Sequence, residues 1–376
     1  MMKLRNLDIL RACLALMVLL GHARGFLWMP WHEWKELPHN MIEKCLAFAG
    51  GMFKFGSQAV AVFFALSGFF IHLRAASQAS TTGGMKGYSA SDFLYRRSRR
   101  ILPPYYFALL FTLLLDTMGH AWVPQMYSGM TGHAVIDSNQ RDAGYSAAAV
   151  VPALFAQPNL LGIRFGSNGP LWSIGYEVFY YALYPLFMWL WLRSRVLGYG
   201  VALGLSICCW FWPLAGWWSG MMSSYPMWLV GALLAELMSA KRGLSTHFLW
   251  FWGMLAMGLG GLALTQSQLT VQIPWLSVPV SMMMGIGVIG TFEALPEYVV
   301  RHRIGQLLEW LGIRSYSIYI YHMPVQLLIC AWLFQSYGKL PSHGWWALSG
   351  ALVSLGAGLA GFHLVERRFL PARLGA

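Results

Sequence analysis

LDILRACLALMVLLGHA, residues 7–23, is an apolar run that carries an aspartate, an arginine and a histidine. A membrane-spanning helix takes about 20 apolar residues, and 7–27 supplies them with Asp8 and Arg11 near one end. Ionisable groups inside a span are costly, so each needs a partner or a task. At about 100° per residue, Arg11 and His22 fall within roughly 20° of one face, about 16 Å apart along the axis. Asp8 shares that stripe and reaches Arg11 at i,i+3. The stripe joins a charged end of the helix to an imidazole nearer the other end. A snorkelling arginine and a packed core histidine are the alternative reading of the same pair.

Long apolar runs recur along the whole chain. Besides 7–27, stretches of spanning length lie at 55–73, 101–118, 172–192, 197–217, 222–239, 247–265, 272–292, 315–336 and 345–365. Of the 376 residues, 57% are hydrophobic and 11% charged, against about 25% charged in an ordinary soluble domain. A soluble enzyme, a disordered chain and a fibrous repeat are excluded on that ground. The expected fold is all-α: a polytopic integral-membrane bundle of about ten transmembrane helices, read as one domain over 1–376. Asp8 and Arg11, with no small-x-small site after them, argue against a cleaved signal peptide. The five cysteines show neither a disulfide framework nor metal-ligand spacing, so no metal is expected.

Charge sets the expected orientation. If the stretches alternate across the bilayer, Arg24, Lys35, Lys44, Lys54, Arg141, Arg164 and Lys339 lie on one side and the other 19 of the 26 Lys and Arg on the opposite side. The richer side is cytoplasmic, with both termini there. The formal charge of +12 therefore reports topology and implies no nucleic-acid partner. Residues 147–161, short and holding Pro152 and Pro158, would invert every later loop if they spanned. They read as an interfacial or re-entrant segment on the outer side. The Trp- and His-rich stretch 28–54 reads as lying along the headgroups. Gly350, Ser354 and Gly358 recur every four residues on the last stretch, which suits close helix packing.

Further polar residues mark candidate chemistry. Glu177, in NGPLWSIGYEVFYYALYPL (168–186), sits about five residues below the outer surface, a depth that matches His22. A carboxylate there would orient the ring and raise its basicity; a neutral glutamate hydrogen-bonded for packing is the alternative. YRRSRRILPPYY (95–106) puts four arginines ahead of Pro103 and Pro104, which read as the first turn of a helix. Helix amino terminus and guanidinium groups together suit phosphates; the alternative is an orientation anchor. His322, two turns into the ninth stretch beside Pro324, could line a cavity. His72 and Arg74 read as interfacial anchors, Glu236 as paired with Lys241 or Arg242, and Asp116 as solvated near the outer surface.

Taken in order, LDILRACLALMVLLGHA (7–23), AVFFALSGFFIH (61–72), RRSRRILPPYY (96–106), LWSIGYEVFYYALYPL (171–186), SYSIYIYHMPV (315–325) and VERRFL (365–370) resemble the acyltransferase-3 integral-membrane proteins. The resemblance covers nearly the full chain. It implies a ten-helix bundle of the stand-alone form, without an appended periplasmic domain. It further implies transfer of an acyl group, usually acetyl, from cytoplasmic acetyl-CoA or another acyl-CoA to a sugar hydroxyl at the outer face of a bacterial inner membrane. The family's Arg-x10-His pattern falls on Arg11 and His22. Its Arg-x-x-Arg pattern falls on Arg97 and Arg100, with Arg96 and Arg99 as a second register. Its Trp-Ser…Glu feature falls on Trp172, Ser173 and Glu177.

The expected roles are then these. Arg97 and Arg100, with Arg96 and Arg99 as the second register, hold the CoA phosphates, and Arg11, supported by Asp8, guides the cofactor arm. His22, oriented by Glu177, is general base or acyl relay, and Trp172, Ser173 and His322 meet the acceptor. The acceptor is a surface glycan or lipid-linked sugar, its identity open, as are acyl length and oligomeric state. A transporter or flippase lined by the same stripe is the competing class, against which no clear internal repeat or broken midplane helix is seen.

Overall fold

The computed structural model describes residues 4–82, 88–211, 216–240, 248–273 and 276–370, and parts of the expected stretches 197–217, 247–265 and 272–292 lie outside them. The helices in chain order are α1 (Leu4–Leu27), α2 (Trp31–Trp34), α3 (Met41–Gly51), α4 (Gly56–Thr82), α5 (Ala90–Trp122) and α6 (Pro124–Tyr127). Then follow α7 (Ala134–Gln140), α8 (Ala147–Leu154), α9 (Leu171–Arg193), α10 (Arg195–Phe211), α11 (Gly216–Ala240) and α12 (Phe248–Thr265). The last are α13 (Gln268–Gln272), α14 (Ser277–Glu293), α15 (Glu297–Arg301), α16 (Arg303–Ile313), α17 (Ser315–Tyr337) and α18 (Trp345–Leu364). Two two-residue strands, β1 (Ala143–Gly144) and β2 (Arg164–Phe165), pair in parallel, Ala143 facing Arg164.

Among the described residues each of the ten apolar stretches overlaps a helix: α1, α4, α5, α9, α10, α11, α12, α14, α17 and α18 respectively. By length and composition, 5 helical segments among the described residues suffice to cross a membrane: Arg5–Leu27, Met41–Gln78, Ala90–Trp122, Ser315–Tyr337 and Trp345–Phe369. Shorter apolar helices lie at Arg195–Cys209, Trp250–Thr265 and Ser277–Glu293.

The chain forms two compact units. The first comprises Met1–Leu14, Ser57–Tyr95 and Tyr176–Gly312. Within it α12 packs on α14, and α11 on α10 and α14. Helices α4 and α11 meet through glycines: a Cβ built on Gly231 would fall on the Ala65 carbonyl oxygen, and one on Gly68 on the carbonyl oxygen of Trp228. Lipid gives helices no hydrophobic reason to associate, so close backbone approach of this kind supplies the packing. The amino-terminal turn is held by the Asn6 amide donating to the carbonyls of Glu293 and Leu295, 3.1 Å each, and by Arg5 bidentate on Glu309 at 2.7 and 2.6 Å.

The second unit comprises Ala15–Gly56, Arg96–Gly175 and Ile313–Ala376. Its core is α17, buried almost continuously from Ser315 to Leu327. Helix α18 packs on it through Gly358, where a Cβ would stand 2.6 Å from the Cα of Ile318, so the small-residue stripe does mark a helix contact. Helix α5 runs unbroken through Pro103 and Pro104, which corrects the expectation that it opens there. The two prolines leave the carbonyls of Arg99 and Arg100 without intrahelical donors. Hydroxyls of α17 brace the stretch at neighbouring carbonyls: Tyr316 donates to Ile101 O at 2.9 Å and Tyr321 to Pro104 O at 3.0 Å. Spanning helices tolerate proline where a neighbour supplies such contacts.

Segment 147–161, expected to be interfacial or re-entrant, folds back on itself along α5. At one level of α5, Asp116 accepts from the backbone N–H of Ser167 at 2.7 Å. About 16 Å further along the same helix, Tyr105 and Tyr106 donate to the carbonyls of Ala153 and Leu154 at 3.0 and 2.8 Å. The chain thus descends along α5 and turns back at Ala156, whose φ is 55°. The eight residues of α8 make about 12 Å, under half a bilayer core, so its last carbonyls need protein donors. The two tyrosines provide them. In the 28–54 stretch, α3 opens with a capping box between Asn40 and Glu43 and exposes Met41, Cys45 and Phe48 on one stripe, with Met52 just beyond its end continuing it.

Candidate active site

In the second unit α1 brings His22 against His322 of α17, Nδ1 to Nε2 at 2.8 Å, with ring planes 11° apart. His322 is wholly buried and its Nδ1 stands 2.6 Å from the main-chain carbonyl oxygen of Tyr319. His22 is half-buried. One turn beyond His322, Gln326 donates its amide to Leu19 O at 3.0 Å, which ties the two helices together beside the pair. The Tyr319 hydroxyl meets Ser173 Oγ at 2.8 Å, and Ser173 donates to Pro170 O at 3.0 Å. Trp172, half-buried, precedes Ser173 in the first turn of α9. His322 and Ser173 are thus brought to the neighbourhood of His22 through Tyr319.

Within its own unit His22 has His322 as hydrogen-bond partner; Glu177, the partner expected from the sequence, belongs to the first unit. Glu177 Oε1 accepts from Ser67 Oγ at 2.8 Å and from the hydroxyl of Tyr181, both in the first unit. Tyr181 stands at i+4 on the same helix face. Equal depth, the basis of the Glu177 assignment, says nothing about which way a side chain points around its helix.

Arg11 meets Asp8 at 3.4 Å, as their spacing requires, and its guanidinium lies 5.9 Å from the centre of the Phe70 ring. The four arginines of 96–100 lie inside α5, so no helix amino terminus adds its partial charge to them. Arg97 and Arg100 are half-buried whereas Arg96 and Arg99 are exposed; of the two registers left open, the first turns inward. Arg100 Nε is buried and finds no hydrogen-bond partner among the described residues. A buried guanidinium nitrogen without an acceptor suits an anionic ligand. Among the described residues no cluster of three His, Cys, Asp or Glu is placed to hold a metal ion.

Two polar groups expected at the interface or in solvent, His72 and Asp116, are buried. His72 is fully enclosed, its Nδ1 3.2 Å from the Tyr184 hydroxyl and its Nε2 3.2 Å from Glu236. Glu236 also accepts from Trp191 Nε1 at 2.8 Å and from Tyr199 at 2.7 Å, with Arg195 3.5 Å away; Lys241 and Arg242, its expected partners, lie outside the described residues. Asp116 is buried too. It accepts from Ser167 N, from Ser167 Oγ at 2.5 Å and from the Tyr145 hydroxyl at 2.6 Å. Burial, then the Asp116 carboxylate, push the Tyr145 hydroxyl well up, so it stays a donor. The only sequence signal was the apolar surroundings of Asp116 on its helix.

Asp116 anchors the returning arm of the re-entrant segment. Asp116→Ala leaves three donors unsatisfied and is expected to cost at least about 3 kcal/mol, against about 1 kcal/mol for Tyr145→Phe. Thermal unfolding of the purified protein in detergent measures both; equal small losses would contradict a buried anchor.

Apolar helices of spanning length, packed through glycines and enclosing a histidine pair, define an integral-membrane protein with polar chemistry in its interior. A family model described as an acyltransferase domain matches residues 4–362, and the chain belongs to that family, Acyl_transf_3. It is a multi-pass membrane enzyme that transfers acyl groups. No curated protein and no solved structure matches the chain.

Proposed function

We propose that the protein takes an acyl group, acetyl in the simplest case, from cytoplasmic acyl-CoA and delivers it to a hydroxyl of a surface or lipid-linked glycan at the outer face of a bacterial inner membrane. Ten crossings follow from the apolar stretches, and cytoplasmic termini from the charge distribution. His22 is the general base or acyl relay. Arg97 and Arg100 hold the CoA phosphates, Arg11 keeps the donor-guiding role its motif implies, and Trp172 and Ser173 meet the acceptor. The observation that carries the reading is the half-buried His22 hydrogen-bonded to a second, buried histidine within an acyltransferase-family chain. A proton acceptor held at hydrogen-bond distance in an apolar bundle is what attack by a sugar hydroxyl requires.

Purified protein incubated with labelled acetyl-CoA is expected to release CoA and label a glycan acceptor. Arg100→Ala is expected to raise KM for acetyl-CoA about 10- to 100-fold, the loss of a charge-assisted hydrogen bond, with kcat little changed. No CoA release with any glycan acceptor, alongside solute flux in vesicles, would replace the reading by transport. Mass spectrometry of glycans from wild-type and deletion cells, seeking lost acetyl increments, identifies the acceptor.

A further inference from the structure

The histidine pair holds more information than its distance. A main-chain carbonyl oxygen only accepts hydrogen bonds, so at 2.6 Å from Tyr319 O the Nδ1 of His322 carries the hydrogen. A neutral imidazole has one N–H and one bare nitrogen, and the bare one of His322 is therefore Nε2. That nitrogen lies 2.8 Å from His22 Nδ1. The contact is a hydrogen bond only if His22 Nδ1 in turn carries its hydrogen. The lone pair of neutral His22 then resides on Nε2, on the one ring of the two that is not wholly buried. Direction runs one way along the whole chain, from His22 through His322 to the backbone.

Resting on the acyl-transfer reading above, we propose that His322 is a positioning residue: it locks His22 in the Nδ1–H tautomer and so makes His22 Nε2 the atom that takes the proton of the acceptor hydroxyl. In the step, the hydroxyl hydrogen passes to His22 Nε2 while the oxygen bonds the acyl carbon. The carbon–sulfur bond then breaks, and the departing thiolate recovers that proton from His22 Nε2 to leave as free CoA thiol. When His22 is charged its Nδ1–H still donates to the bare nitrogen of His322, so the charge develops without breaking a hydrogen bond or reorganising the site. The oriented acceptor is neutral here, where a serine-hydrolase triad uses a carboxylate. The reach of His322 Nε2, not its charge, is what the site uses.

A glutamine side chain sets its amide oxygen near the place of an imidazole Nε2, and phenylalanine fills the ring volume with no acceptor. In the full-length protein, His322→Phe is expected to lower kcat about 100-fold with KM for acetyl-CoA unchanged, and His322→Gln to remain within about 10-fold of wild type, in line with the usual share of a positioned base. Nitrogen-15 NMR of histidine-labelled wild-type protein, without substrate, is expected to show both rings protonated at Nδ1. A wild-type His22 protonated at Nε2, or full kcat in His322→Phe, overturns the assignment while leaving acyl transfer standing. Wild-type protein that transfers no acyl group overturns the acyl-transfer reading itself, and the role of His322 with it. Should His322→Phe fail to fold, the wild-type spectrum decides the tautomer by itself.

Discussion

Replacing His22 by alanine is expected to lower the rate of acyl transfer by about 10³-fold, within the range a positioned acid–base group supplies. A sugar hydroxyl is a weak nucleophile at neutral pH, and without the imidazole its proton has nowhere to go inside an apolar bundle. Binding of acetyl-CoA is expected to stay within a factor of about three, because the phosphates are held by Arg97 and Arg100 and not by the ring. Initial rates of label transfer at saturating donor, with KM determined in parallel, separate the two effects. Wild-type kcat in His22→Ala would remove the residue from the chemistry. The same variant distinguishes the two routes open to an imidazole: an acetyl-protein trapped in wild type and absent in His22→Ala indicates a covalent relay, and none at single-turnover times indicates direct attack.

The largest structural effect is expected at Gly231. Its position on α11 lies against the Ala65 carbonyl oxygen and the Phe69 backbone nitrogen of α4, while Gly68 on α4 faces the carbonyl oxygen of Trp228 in return. Side chains can turn aside but backbone cannot, so Gly231→Leu must drive the two helices apart along their whole seam. The expected cost exceeds about 3 kcal/mol, the range of severe overpacking. Size-exclusion chromatography in detergent is expected to show loss of the monodisperse species. Gly204→Ala on α10, where an added methyl meets nothing within 4 Å, is the control and is expected to be neutral or slightly stabilising. Equal behaviour of the two variants would contradict the close approach.

Much of this was legible in the sequence, and the failures share a cause. Long apolar runs located every major helix because hydrocarbon leaves a spanning backbone little choice. The Arg11–Asp8 contact followed from helical spacing on a single element. Partnerships between elements did not follow. His22 and His322 are 300 residues apart in the chain, and nothing in either stretch fixes how its helix is rotated towards the other. Depth matching offers Glu177, whose contacts within its own unit are Tyr181 and Ser67. His72 and Asp116 were placed at the surface because they stand near the ends of apolar runs, yet Tyr184 and Glu236 enclose the first, and a returning loop the second. The preference for Arg97 and Arg100 has a helical basis: with Ile101 and Pro104 they form one stripe, and Arg96 and Arg99 fall outside it.

Because the histidine chain ends on the carbonyl of Tyr319 rather than on a side chain, its last link belongs to the peptide unit and is common to all twenty amino acids. Scanning position 319 with every replacement would report on the phenol and its serine neighbour and stay silent about that oxygen. Only backbone chemistry, such as an amide-to-thioamide exchange made by semisynthesis, would make the link visible to genetics' blind spot.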